Sequence, residues 1–133
     1  MGLFNVGDFT LHSGGRTRFK IDCDELPLSS LGAIADALVR RIATPYCAVL
    51  PVRSRDGTIA PAVRFLSGLL DKRIRKGAAH ILIVDDVLTT GASMEEARQA
   101  RAAPRLCIGA VVFARGPCPD WVTPLFTMVP EAP

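Results

Sequence analysis

The chain has no C-x-x-C pair, no G-x-x-x-x-G-K-[ST] string and no uninterrupted apolar run near the roughly 18 residues that a membrane span needs. The first absence argues against a paired-cysteine metal or redox site and the second against a Walker-type nucleotide site. The third argues against a membrane-spanning helix. Its opening residues lack a basic leader followed by an apolar block, so the expectation is a cytoplasmic, unanchored protein. No internal repeat, low-complexity tract or linker interrupts the sequence, and one domain over residues 1–133 is expected.

Charge of one sign is also scarce. A net charge of +3 is modest, and the only dense basic cluster is Asp71 to Lys76, "DKRIRK", which reads as a solvated face. No nucleic-acid partner is implied. Four cysteines, Cys23, Cys47, Cys107 and Cys118, stand far apart in mostly apolar contexts and read as reduced packing residues. With 49% hydrophobic and 22% charged residues the composition is that of a globular protein with a core, and it lacks the signature of disorder.

What is present is an alternation of patterns. Leu31, Ile34, Ala35, Leu38, Val39 and Ile42 follow helical spacing, after a cap at Ser29 or Ser30 and before Pro45. Tyr46 to Val52 is a short apolar strand that runs into the polar loop "RSRDG". A second helical stripe runs from Ile59 to Ile74, with Pro61 in its first turn and Gly77 after it. Then come a strand from His80 to Val87, a helix from about Ser93 to Ala103 stopped by Pro104, and a strand from Leu106 to Phe113. Continuous apolar strands between amphipathic helices imply an α/β fold, a compact Rossmann-like parallel sheet flanked by helices. A hairpin-like segment, "GDFTLHSGGRTRFKID", precedes this core, and a closing strand in "WVTPLFTMV" follows it.

The segment "HILIVDDVLTTGAS", His80 to Ser93, carries the chemistry. In open α/β sheets ligands bind beyond the carboxyl ends of the strands, where loops meet helix N-termini. Two neighbouring carboxylates there, Asp85 and Asp86, repel each other and lose hydration, which is tolerated chiefly where hydroxyls or a cation satisfy them. Thr89, Thr90, Gly91, Ala92 and Ser93 have small side chains. Their backbone N–H groups can therefore close around an oxyanion, with hydroxyl donors beside them and the following helix dipole behind. Acidic groups gripping sugar hydroxyls next to a phosphate cradle describe a ribose 5-phosphate site. The plainer alternative is that Ser93 caps its helix with Glu96 completing a capping box, which is compatible with phosphate binding. A phosphoacceptor domain would place its acidic pair after the first strand of the fold, whereas here a strand and two helices come before it.

The stretch "ILIVDDVLTTGAS" resembles the phosphoribosyl pyrophosphate (PRPP) signature of the type I phosphoribosyltransferases at all thirteen positions. "FTLHSGGRTRFKID" resembles the N-terminal segment of the orotate enzymes of that family, and "GAVVFAR" the strand after the PRPP helix. The resemblance implies displacement of pyrophosphate from C1 of PRPP by a nitrogen of a nucleobase, orotate or a related pyrimidine. Asp85 and Asp86 would hold the ribose hydroxyls and steady a cationic ribosyl carbon, and residues 89–93 would anchor the 5′-phosphate. Arg53, Ser54 and Arg55 would face pyrophosphate, and Thr89, Arg115, His12 and Phe19 the base. Mg2+ would ride on substrate oxygens with few protein ligands, and a homodimer is implied.

The sequence departs from that family's pattern between Leu70 and Gly77, where the orotate enzymes have a further strand and a long basic lid. Here the lid is absent or reduced to Lys72, Arg73, Arg75 and Lys76. His12 stands where a lysine is usual, and Lys20 where an aromatic residue is usual. "RSRDG" lacks the family's Gly-Gly. A non-catalytic module that binds PRPP or a nucleotide, as a regulator or sponge, is therefore the alternative. Trp121 is either a core residue or an aromatic neighbour of the base.

Overall fold

A computed structural model describes residues 4–10, 16–21 and 23–128, with side chains from residue 23 onward. Two antiparallel strands, β1 (Phe4–Thr10) and β2 (Arg16–Ile21), form the expected opening hairpin. The core follows as α1 (Leu28–Arg41), β3 (Tyr46–Pro51), α2 (Pro61–Asp71), β4 (His80–Leu88), α3 (Ala92–Gln99), β5 (Cys107–Ala114) and β6 (Val122–Thr127). Strands β3 to β6 form one parallel sheet in the order β3-β4-β5-β6, so the α/β expectation holds.

The three helices form where the apolar stripes predict them, with displaced ends. α1 begins at Leu28 behind Pro27, and no side chain caps it, so neither Ser29 nor Ser30 serves as its cap. Proline's fixed φ starts the helix without a donor to satisfy. α2 stops at Asp71 rather than reaching Ile74. The buried Tyr46 hydroxyl donates to the Leu70 carbonyl at 2.8 Å, which ties the end of this helix to the start of β3. The first free donor of α2, the Ala62 N–H, is met at 2.8 Å by the Asp24 carboxylate, 38 residues away in sequence. α3 ends at Gln99 rather than Ala103.

The core has two layers around the sheet. Leu82 and Val84 pack with Leu31, Ala35 and Leu38 of α1 and with Ala62, Leu66 and Leu70 of α2. Ile83 and Val111 pack on the other face with Met94 of α3. Space above Gly109 is tight: a Cβ there would lie 2.8 Å from Met94 Cε, the movable end of that side chain, and 3.0 Å from Val122 Cγ2. Cys23 and Cys107 are buried in these two clusters, and no disulfide links any of the four cysteines.

This layering has a topological consequence. The steps from β3 to β4 and from β4 to β5 run the same way across a parallel sheet, yet α2 and α3 cover opposite faces. The two crossovers must then have opposite hands, so one is left-handed, against the strong general preference. Only residues 72–79 join α2 to β4, too few for another strand and its connections. No further strand therefore lies between α2 and β4, and β3 forms an edge of the four-stranded sheet.

Candidate functional site

The site lies at the carboxyl ends of β3, β4 and β5. β4 stays apolar and buried through Leu82, Ile83 and Val84, and then presents half-buried Asp85 and Asp86. Each carboxylate turns back on the chain: Asp85 Oδ1 accepts the Asp86 N–H at 2.8 Å, and Asp86 Oδ1 accepts the Val87 N–H at 2.7 Å. Burial, and then repulsion from Asp86, pushes the Asp85 carboxyl well above the ordinary carboxylate range. Charging Asp85 is thus costly in this setting, and a cation or hydrogen-bond donor placed beside it would lower that cost.

After Leu88 the chain bends through Thr89 and Thr90 to Gly91, which adopts the left-handed conformation at φ 85° and stands immediately before α3. A side chain at that φ is strained, which explains the glycine. Thr90 Oγ1 accepts the Ala92 N–H at 3.3 Å. The Ser93 and Met94 amides fall in the first turn, where no intrahelical carbonyl reaches them. No side chain caps α3, so the expected Ser93–Glu96 capping box is not formed. Glu95 instead binds Arg98 at 3.0 and 2.6 Å, and Arg98 lies 4.9 Å from the Trp121 ring centroid. Trp121 is half-buried against the Met94 cluster, in the manner of a core residue.

The β3–α2 loop is built differently. Ser54 N–H donates to the Thr58 carbonyl at 2.8 Å, and Gly57 N–H to the Ser54 carbonyl at 2.9 Å. Asp56 Oδ1 accepts both the Thr58 N–H, at 3.0 Å, and the Thr58 hydroxyl, at 2.7 Å. These bonds hold the Asp56 carboxyl below its usual range, the hydroxyl contact contributing most. Arg53 and Arg55 are both exposed, and Arg53 donates to the Gly57 carbonyl at 2.9 Å.

An open cleft of about 720 Å³ separates this loop from α3. It brings Arg53, Ser54 and Arg55 together with Ala92 and Ser93, over a floor of Leu50, Pro51 and Val52. Asp85, Asp86, Thr89, Thr90 and Gly91 do not line it; they form the adjoining rim through β4 and its loop. Arg115, half-buried just after β5, has its N–H on the Leu88 carbonyl at 2.9 Å and so stands beside the end of β4. His12 lies outside the described residues; Phe19 is on β2, and its side chain also lies outside them. Arg101 and Glu96, which sequence reasoning did not select for the cleft, line its α3 wall. Their only sequence signal was helical spacing from Ser93.

Among the described residues no group of three His, Cys, Asp or Glu is placed to hold a metal ion, and no helix is long and apolar enough to cross a membrane.

Solved structures with similar architecture include orotate phosphoribosyltransferases. The orotate phosphoribosyltransferase of Aeropyrum pernix matches with a TM-score of 0.65 at 24% identity, over 95% of this chain and 88% of that one. The Mycobacterium tuberculosis orotate phosphoribosyltransferase matches at 0.60 and 16% identity, over 94% and 89%. Leishmania donovani UMP synthase matches at 0.64 and 15% identity, over 95% of this chain and 34% of that chain. No protein-family model matches the chain, and no curated protein does. The likeness is one of fold: the chain has a type I phosphoribosyltransferase-like fold, in reduced form.

Proposed function

We propose that this chain binds PRPP with Mg2+ and transfers its 5-phosphoribosyl group to a nucleobase, orotate or a related pyrimidine, with release of pyrophosphate. The observation that carries the reading is the cleft in which the arginine-bearing β3–α2 loop faces the start of α3, beside the acidic end of β4. The 5′-phosphate is held by residues 89–93, through free amides and small hydroxyls at the positive end of α3. Asp85 and Asp86 orient the ribose hydroxyls and stabilise positive charge as the bond from C1 to pyrophosphate breaks. Arg53, Ser54 and Arg55 receive the pyrophosphate, and Thr89 and Arg115 face the base. Mg2+, when bound, neutralises the diphosphate, and the acidic pair is where it would meet the protein.

The test measures pyrophosphate release with PRPP, Mg2+ and a panel of bases. Base-dependent release that disappears when Asp85→Asn and Asp86→Asn are combined is the expected result; no release with any base overturns catalysis. A second reading, a PRPP-binding module without turnover, is favoured by the short 72–79 connection, which offers no cover to exclude water. Thermal stabilisation by PRPP without pyrophosphate release would select it.

A further inference from the structure

The cleft between the β3–α2 loop and α3 runs well beyond Ser93. Its α3 wall is a single stripe of the helix: Ala92 and Ser93, then Glu96 and Ala97, then Ala100 and Arg101, each pair four residues past the last. Arg101 therefore stands roughly 12 Å along the axis from Ser93. Its N–H donates to the Arg98 carbonyl at 3.1 Å, which keeps it against the final turn of α3. The alanines hold this wall low, and Glu96 and Arg101 are its long side chains.

The arginines differ in how they are held. Away from the cleft, Arg98 is bound to Glu95, Arg73 to Asp36 and Arg41 to carbonyls of β6. Within it, Arg53 is bonded to the Gly57 carbonyl. Among the described residues the Arg55 and Arg101 guanidinium groups have neither an ion-pair nor a hydrogen-bond partner, and they line the cleft from its two walls. Three guanidinium groups against the single carboxylate of Glu96 leave the lining cationic. Backbone donors are scarce on the loop side. The Val52, Ser54 and Gly57 amides are bonded within the protein, and Pro51 has none. An anion lying there is held mainly by side chains.

We infer that Arg101 is a further binding residue of this site and that, with Arg55, it grips the outer phosphoryl group of the C1 diphosphate. It thereby sets specificity, favouring a sugar with phosphoryl groups at both ends over one that carries a single phosphate. The inference deepens the PRPP reading and rests on it. Spacing assigns the role: a single phosphate on the Ser93 end cannot also touch a group two turns further along α3, whereas a ligand phosphorylated at each end spans the gap. A cation after the last turn suits the helix dipole on any side of α3. Only on the stripe of Ser93 and Ala97 does it face the β3–α2 loop. Planar guanidinium groups from two walls can take one phosphoryl group from two sides, each through paired N–H donors. Neither depends on a further segment folding over the cleft, which the short 72–79 connection does not supply.

Calorimetric titration of the intact chain in Mg2+ with PRPP, inorganic pyrophosphate and ribose 5-phosphate tests this. Arg101→Gln should weaken PRPP and pyrophosphate about fivefold, the upper end for an exposed charge pair, and leave ribose 5-phosphate unchanged. The loss should shrink as salt rises. Arg101→Lys should keep part of the affinity, because it retains the charge without the fork of donors. Arg105, exposed and not lining the cleft, is the control for net charge, and Arg105→Gln should alter none of the three. Arg101 is exposed as well, so these variants should match the parent in thermal unfolding without ligand. PRPP binding indifferent to Arg101→Gln, an equal loss for ribose 5-phosphate, or the same loss from Arg105→Gln overturns the inference and leaves the PRPP reading standing. A parent chain that binds neither PRPP nor ribose 5-phosphate overturns both.

Discussion

The loops after β3 and β4 occupy equivalent places at the ends of neighbouring strands, yet they are built in opposite ways. The β4–α3 loop leaves backbone amides at Ser93 and Met94 open and uses Gly91 to turn them outward. The β3–α2 loop satisfies its own backbone through Ser54, Gly57 and Asp56 and leaves an exposed Arg55 beside the cleft. A site made of backbone dipoles is rigid and specific in position, whereas one made of an arginine side chain is adaptable and sensitive to salt. On the proposed reading, the first would hold the sugar phosphate and the second the group that leaves.

The largest effect should come from the acidic rim between the two loops. Combining Asp85→Asn and Asp86→Asn should lower base-dependent pyrophosphate release by at least about a hundredfold, since charge stabilisation in the transition state is typically worth several kcal/mol. Next, Gly91→Val should attack the backbone-built loop. A branched side chain at φ 85° costs about 1–2 kcal/mol and reorients the amides. Titration by thermal shift should show PRPP affinity falling about tenfold or more.

Gly109→Ala should disturb the same loop from behind by displacing the Met94 side chain that packs α3 on the sheet. Denaturant unfolding should register a loss of about 1–3 kcal/mol, with affinity falling in parallel. Arg55→Ala, by contrast, should weaken pyrophosphate inhibition only a few-fold, and the difference from the parent should shrink as salt rises.

The smallest effect concerns pH and separates stability from binding at the rim. Because the folded protein raises the Asp85 pKa, the native state holds a proton that the unfolded chain releases. The group's contribution to stability is full below the ordinary carboxylate range and is lost as pH rises through the elevated folded value. Asp85→Asn should flatten that decline. It should raise Tm at neutral pH by a few degrees, as roughly 1 kcal/mol moves a domain of this size by about 4 °C. PRPP binding should weaken in the same variant, the usual opposition between a strained site and a stable one.

Much of this was legible locally. Apolar periodicity located all three helices and the four strands of the parallel sheet, and the small residues after Asp86 marked the turn into α3. The expected caps at Ser29 or Ser30 and at Ser93 with Glu96 are not formed: α1 starts behind Pro27 and α3 behind the left-handed Gly91, whereas the Asp24 carboxylate that meets the first turn of α2 lies too far away in sequence for a local pattern to show it. Arg101 and Glu96 were missed because their relation to the cleft depends on α3 facing the β3–α2 loop. Trp121, left open between core and base, is settled as packing by Arg98 and the Met94 cluster.

By itself the amino-acid sequence determined the order and type of the elements and the chemistry carried at the end of β4, because side-chain periodicity, turn residues and adjacent carboxylates are short-range properties. Only the tertiary structure decided that α2 and α3 lie on opposite faces with crossovers of opposite hand, and that Arg41 of α1 reaches the β6 carbonyls at Pro124 and Leu125. Those outcomes depend on which distant surfaces bury one another, and no local pattern encodes that choice.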